Sequence, residues 1–179
     1  MNAHAAHVVY ESKKFRIERQ TRRAGPDAPP VTHDVIVHPG AAVILPLLAD
    51  GRVVLIRNER LAAGGELLEL PAGTLEPPET PAACAARELA EETGYRAERW
   101  EPLLAFFSAP GFCSEYLHVF LATELTAGAQ QLRADERIRT CLLAYDEALN
   151  AIRERQIRDA KTIAALLYYD RFARTRGNA

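Results

Sequence analysis

The sequence predicts one α/β or α+β domain in which a mixed β-sheet is sandwiched between helices, preceded by a small antiparallel sheet. Three observations predict it. Apolar segments of strand length flank a single alanine-rich helix on both sides, and two amphipathic helices close the chain. The 179 residues, 48% of them hydrophobic, also suffice for one sizeable core.

Residues 1–38 form the N-terminal β region, with FRIERQT as a strand and RRAGPDAPP as a turn or loop; residues 39–179 form the main domain. AAVILPLL and VVLIRNER, separated by ADGR, read as a hairpin because Asp50-Gly51 supplies turn chemistry. LLAFF, YLHVFLATEL and IRTCLLAY read as further strands, the second apolar on both faces and therefore buried. The closing helices are DEALNAIRER and DAKTIAALLYYDRFA, the latter capped by Asp159.

The central helix lies in GTLEPPETPAACAARELAEETGY, Gly73 to Tyr95, with Thr80 as N-cap, Pro81 in the first helical position and Gly94 as terminator. Its C-terminal end carries Glu88, Glu91 and Glu92. Glu88 faces both of the others, each like-charge pair costing about 0.2–0.5 kcal/mol, and the helix dipole disfavours carboxylates at that end. The three acids fall within an arc of about 100°, beside an arc of Ala82, Ala85, Ala86 and Leu89 that can pack on a sheet. Such a cluster is ordinarily a solvated face. The other reading is that the carboxylates hold hard divalent cations, which reverse the local electrostatic problem.

Composition excludes several function classes. Twenty-two Lys and Arg against 24 Asp and Glu leave a charge of −2 with no long basic run, which disfavours nucleic-acid binding. AAVILPLLA is too short to span a bilayer, and MNAHAAHVVYESKK lacks the order of a signal peptide, so a cytoplasmic protein without a membrane partner is expected. Cys84, Cys113 and Cys141 are odd in number and lack metal spacing, so they read as reduced thiols. His4, His7, His33, His38 and His118 likewise show no metal spacing and read as structural or surface residues.

The acids belong to a longer pattern. Gly73 is followed after five residues by Glu79, and after seven more by Arg87-Glu88-Leu89-Ala90-Glu91-Glu92-Thr93-Gly94-Tyr95. This resembles the Nudix box at each fixed position. The resemblance implies the Nudix fold, a loop–helix–loop on a mixed-sheet sandwich, and a Mg²⁺- or Mn²⁺-dependent hydrolase with two or three ions per site. Glu88 and Glu92 would ligate metal, Glu91 would ligate or sit beside a second ion, and the Ala72 carbonyl would be a further ligand. Arg87 would hold Glu91 in place, and Glu79 would pin the loop to the helix.

RNERLAAGGELLELPAG, Arg57 to Gly73, is similar to the lead-in of ADP-ribose pyrophosphatases, which places Arg60 near the substrate phosphates. Pro110 stands sixteen residues after Gly94, in Ala109-Pro110-Gly111, matching that subclass except that Ala109 replaces its usual serine. Glu115 resembles the acid that reaches the terminal ribose. Asp34, in His33-Asp34-Val35, matches in kind an acid that contacts substrate from the partner chain in dimeric relatives, although the accompanying arginine is missing. The base would be a loop acid between Glu124 and Tyr145, where only Asp135 and Glu136 stand; Glu136, two residues before Ile138, fits better, and its carboxylate would also reach the metals.

The resemblance covers about Val31 to Phe172 and implies a homodimer that cleaves ADP-ribose, a nucleoside diphosphate derivative, into AMP and ribose 5-phosphate. Two other readings stay open. The substrate could be another nucleotide sugar or a dinucleotide, since loops shape the pocket. A non-catalytic nucleotide-binding module is the other, against which the intact acids speak.

Overall fold

A three-stranded antiparallel meander opens the chain: β1 (Ala5–Glu11), β2 (Arg16–Arg22) and β3 (Val31–Val37). It is seen in a computed structural model that describes residues 5–23, 25, 28–134 and 136–174. β2 is the expected FRIERQT strand; β1 has no counterpart among the sequence expectations. Ser12 turns the chain between them, its hydroxyl accepting the Phe15 N–H at 3.1 Å. The β2–β3 register sets Arg19 opposite Asp34 and Thr21 opposite Thr32, and both pairs bond across the strands. The meander joins the body through the Ile36 N–H, which donates to the Phe112 carbonyl, and the Ser114 N–H, which donates to the Ile36 carbonyl.

Two further sheets form the body. One is built from β4 (Ala41–Pro46), β7 (Ala72–Thr74), β8 (Arg96–Phe107) and β9 (Tyr116–Thr126) in the order β7-β4-β9-β8, with β4 and β9 parallel. The other has β5 (Arg52–Arg60) between β10 (Ile138–Ala144) and β6 (Gly65–Glu69). The expected β4–β5 hairpin is therefore corrected. Gly51, at φ +82°, does make the tight turn, and Leu47 bridges Val53, but beyond that point the strands enter different sheets. The reason is burial: all of β4 and Val53–Ile56 of β5 are apolar and enclosed, so each strand takes a central place with its own partners on either side.

Alternation along β4 sets the layers. Val43 and Leu45 join Val53, Leu55, Leu70 and Leu166 in one apolar cluster; Ala42 and Ile44 join Cys84, Ala85 and Leu89 in another. Each fully buried Leu or Ile contributes about 1.5–3 kcal/mol. The second cluster seats α1 (Pro81–Thr93), the helix foreseen from its caps. Thr80 Oγ1 accepts the Ala83 N–H at 3.2 Å, and Gly94 ends the helix at φ +78°. A Cβ on Gly94 would lie 2.5 Å from the Gly128 carbonyl oxygen, so no other residue fits there.

The buried face of α1 differs from the expected one: Ala82 and Ala86 are exposed, while Cys84, Ala85, Glu88, Leu89 and Glu92 are buried. Two of the acids therefore lie within the packed face rather than on its rim, because Cys84 and Leu89 draw that side of the helix onto the sheet. Glu147 accepts the Ala144 N–H at the start of α2 (Tyr145–Arg153). Asp159 caps α3 (Ala160–Tyr168) as foreseen, accepting the Thr162 N–H at 3.0 Å. A π-helical turn, Tyr169–Ala173, follows. Among the described residues, no helix is long and apolar enough to cross a membrane.

Candidate active site

The turn from β7 into α1 is held by one guanidinium. Arg87 donates Nε to Glu79 Oε2 at 3.1 Å and Nη2 to Glu79 Oε1 at 2.6 Å, and Nη2 also reaches the Thr74 carbonyl at 3.3 Å. Glu79 in turn accepts the Glu76 N–H at 2.8 Å. Arg87 beside it holds the Glu79 carboxyl down to about 2. Thus Glu79 ties loop to helix as expected. Arg87 reaches the expected Glu91 at a longer 3.4 Å and Glu88 at 2.6 Å.

Glu88 and Glu92 are only 6% and 4% exposed, yet both line an open cavity of about 780 Å³ together with Arg60, Ala72, Arg133 and Glu136. Burial raises both carboxyls, Glu92 to about 8 with the charges of Glu88 and Glu136 adding to the effect, although Glu92 Oε2 accepts the Ala72 N–H at 2.9 Å. Glu91 is not part of the cavity lining; Arg87 and Arg133 stand 3.4 and 3.8 Å from its carboxylate. The segment carrying Glu136 is led to the cavity along the end of α1, where the Gln131 N–H donates to the Glu91 carbonyl and the Gln130 side chain to the Glu92 carbonyl. Glu136 Oε2 accepts the Arg133 N–H at 2.8 Å. Asp135 lies outside the described residues, as does His4.

These donors fit a hard divalent cation. Two enclosed carboxylates whose ionised forms are disfavoured, opening on one cavity, call for positive charge there. Gly73 adds a close fit, since a Cβ on it would fall 1.8 Å from Glu88 Cδ. Among the described residues no group of three His, Cys, Asp or Glu is gathered as a ligand set, and Glu88 faces Arg87 instead. Gly73→Ala is therefore expected to displace the Glu88 carboxylate and weaken Mg²⁺ binding by about 10–100-fold. Calorimetric titration checks this, and unchanged affinity contradicts it.

A second cavity of about 510 Å³ shares Arg60, Ala72, Gly73 and Thr74 with the first and adds Phe106, Ser108, Glu115, Leu117 and Lys161. Arg60 and Glu115 thus both line this cavity. Ala109, Pro110 and Gly111 do not line either cavity; they shape a turn in which the Phe112 and Cys113 N–H groups donate to the Ala109 carbonyl. The neighbouring Ser108 is the hydroxyl that reaches the lining. His38 Nδ1 accepts the Gly40 N–H and lies 3.6 Å from Glu115, a structural place as expected. Cys84 is buried, and burial pushes its thiol up to about 12, so it is packed rather than reactive. Asp34 is not brought to the site within one chain: it is exposed and paired with Arg19 at 2.8 Å.

Sequence reasoning missed Glu69, Lys161 and the turn lysines Lys13 and Lys14, which also border the larger cavity. A signal existed for two of them. Glu69 is an acid inside the apolar LLELP, and Lys161 is a cation in the first turn of a helix, where the dipole disfavours it.

Comparison with known proteins agrees with the geometry. A family model for the NUDIX domain matches residues 37–166. The chain is 36% identical over 137 residues, 75% of its own length and 74% of the relative's, to an ADP-ribose pyrophosphatase of Bacillus subtilis (strain 168). It is 37% identical over 136 residues, 71% of each chain, to a GDP-mannose pyrophosphatase of Cronobacter sakazakii (strain ATCC BAA-894). The crystal structure of an ADP compounds hydrolase superposes with a TM-score of 0.85 over 99% of this chain and 97% of that one at 19% identity, which shows the fold.

Proposed function

The chain belongs to the Nudix hydrolase family, whose members generally need a divalent metal such as Mg²⁺, and we propose that it hydrolyses the diphosphate bond of ADP-ribose to AMP and ribose 5-phosphate. One observation carries the proposal: Arg60, Ala72, Gly73 and Thr74 line two cavities at once, one of which also holds Glu88, Glu92 and Glu136 and the other Glu115 and Ser108 beside apolar Phe106 and Leu117. A diphosphate bound at the shared residues would meet cationic Arg60, with the carboxylates that would hold metal in one cavity and a partner for ribose hydroxyls, Glu115, in the other.

In this reading Glu88, Glu92 and the Ala72 carbonyl would hold Mg²⁺ or Mn²⁺, two or three ions in all, with Glu91 ligating or standing beside a second ion. Bound ions would neutralise the diphosphate and lower the pKa of an attacking water. Glu136 removes the proton of that water, whose oxygen bonds to phosphorus as the bridging oxygen leaves. Ala109, Pro110 and Gly111 shape the turn that presents Ser108 and Glu115. Incubation with ADP-ribose and Mg²⁺, followed by product analysis, should yield AMP and ribose 5-phosphate; lack of turnover would sink the proposal. The second reading, another nucleotide sugar, is favoured by the likeness to a GDP-mannose pyrophosphatase. Faster turnover of GDP-mannose than of ADP-ribose would establish it.

Residues 1–38 serve in this reading as a dimerising sheet. Val8, Val9 and Tyr10 on β1 and Val31 on β3 are each about half exposed, and Asp34 is exposed and lines neither cavity of its own chain, so it would be free to contact a partner's substrate. Deleting residues up to Pro30 is expected to give monomers that bind ADP-ribose poorly. A monomeric full-length chain in light scattering would overturn this.

A further inference from the structure

Glu69 is 1% exposed, and two cations meet its carboxylate. Arg60 donates Nε to Oε1 at 2.8 Å and Nη2 to Oε2 at 2.7 Å, a bidentate fork; Lys161 Nζ donates to Oε2 at 2.6 Å from the first turn of α3. Burial pushes the Glu69 carboxyl up, yet Arg60 and Lys161 together hold it below its ordinary value. Lys161 also lies 2.9 Å from Asp159, and the Leu70 N–H donates to Thr162 Oγ1 at 2.8 Å, so α3 is riveted to the strand that carries Glu69.

Arg60 ends β5 and is followed by a one-turn helix, Leu61–Ala63, whose Leu61 is 91% exposed. The long Arg60 side chain carries about 2 kcal/mol of rotamer entropy, and among the described residues its side-chain hydrogen bonds all go to Glu69. The fork to Glu69 uses Nε and Nη2 and leaves Nη1 without a protein partner among the described residues, and Arg60 lines both cavities. Lys161 is 14% exposed, with its ammonium already engaged by two carboxylates, so it is poorly placed to bind a phosphate itself.

We propose that Lys161 and Glu69 are positioning residues that orient Arg60, so that the first turn of α3 sets how tightly the substrate diphosphate is held; this rests on the diphosphate reading above. Lys161→Met should raise KM for ADP-ribose about tenfold with kcat within about threefold, and Lys161→Arg should restore most of it. In an Arg60→Ala background the same substitution should cost less than about twofold, because it acts only through Arg60. Equal losses in both backgrounds, or an unchanged KM, would overturn the proposal.

A substrate-free readout accompanies the kinetics: the Arg60 Nε–H resonance, assigned by its loss in Arg60→Lys, should exchange with water at least about fivefold faster in Lys161→Met as its fork loosens. Unchanged exchange in a folded variant also overturns the proposal, and Lys161→Gln takes the place of the methionine variant should that one not fold. If the wild type leaves ADP-ribose intact while exchange still depends on Lys161, the substrate reading fails and the positioning role stands.

Discussion

Glu92→Gln should make the protein more stable when metal is chelated and nearly inactive when metal is supplied. The Glu92 carboxyl is 4% exposed and raised to about 8, mainly by burial and then by Glu88 and Glu136. Below about pH 4.5 it is protonated folded or unfolded, and the penalty is absent. As pH rises towards 8 the folded protein must retain a proton that the unfolded chain releases, so stability falls over that window, by an upper bound on the order of 3 kcal/mol at pH 7. Glutamine keeps an oxygen that can accept the Ala72 N–H and removes the charge, so Tm of the chelated protein should rise at pH 7 and change little at pH 4.5. With Mg²⁺ the order reverses: the wild type gains stability by binding and the variant gains less. Turnover should drop at least about 100-fold, since even residues behind metal ligands typically cost 10- to 100-fold. Calorimetry with and without EDTA, alongside an ADP-ribose assay, measures both arms. Full turnover at low Mg²⁺ would contradict the assignment of Glu92.

The crowding of the acids is legible in the sequence alone, because they stand where both the dipole and their own repulsion disfavour them, but the burial that chiefly raises the Glu92 carboxyl is set by how α1 packs on the sheet. The caps of α1 are legible for a similar reason: Thr80, Pro81 and Gly94 act through bonds within a few residues of chain. Lys161 carries the same kind of signal, a charge at the disfavoured end of a helix, but its cause lies 92 residues away at Glu69. No local pattern joins the two. Strand pairing fails for a related reason: Asp50-Gly51 does specify a turn, but which partners β4 and β5 take is decided by burial of both faces of each, a property of the assembled core. Asp34 is read by likeness alone, and its pairing with Arg19 follows from the β2–β3 register.

The identity of the base is decided by Glu136→Gln. Glu136 borders the cavity that holds Glu88 and Glu92, and its charge helps to raise the Glu92 carboxyl, so its side chain lies within electrostatic reach of Glu92. Glu91 is differently placed: it does not line that cavity, and Arg87 and Arg133 stand 3.4 and 3.8 Å from its carboxylate. The segment bearing Glu136 is tethered to the end of α1 through Gln130 and Gln131, and beyond the tether only the Arg133 N–H is bonded to the Glu136 carboxylate among the described residues. Such a group can swing to a water without unfolding anything. A positioned base contributes about 10²–10⁴-fold, so Glu136→Gln should lower kcat by that order with a much smaller change in substrate affinity. Asp135→Asn should cost less, and Glu91→Gln should act chiefly through the Mg²⁺ concentration needed for half-maximal rate. Single-turnover rates at saturating Mg²⁺ separate the two effects. Near-normal turnover in Glu136→Gln, with turnover lost in Glu91→Gln at saturating metal, would place the base on the helix instead.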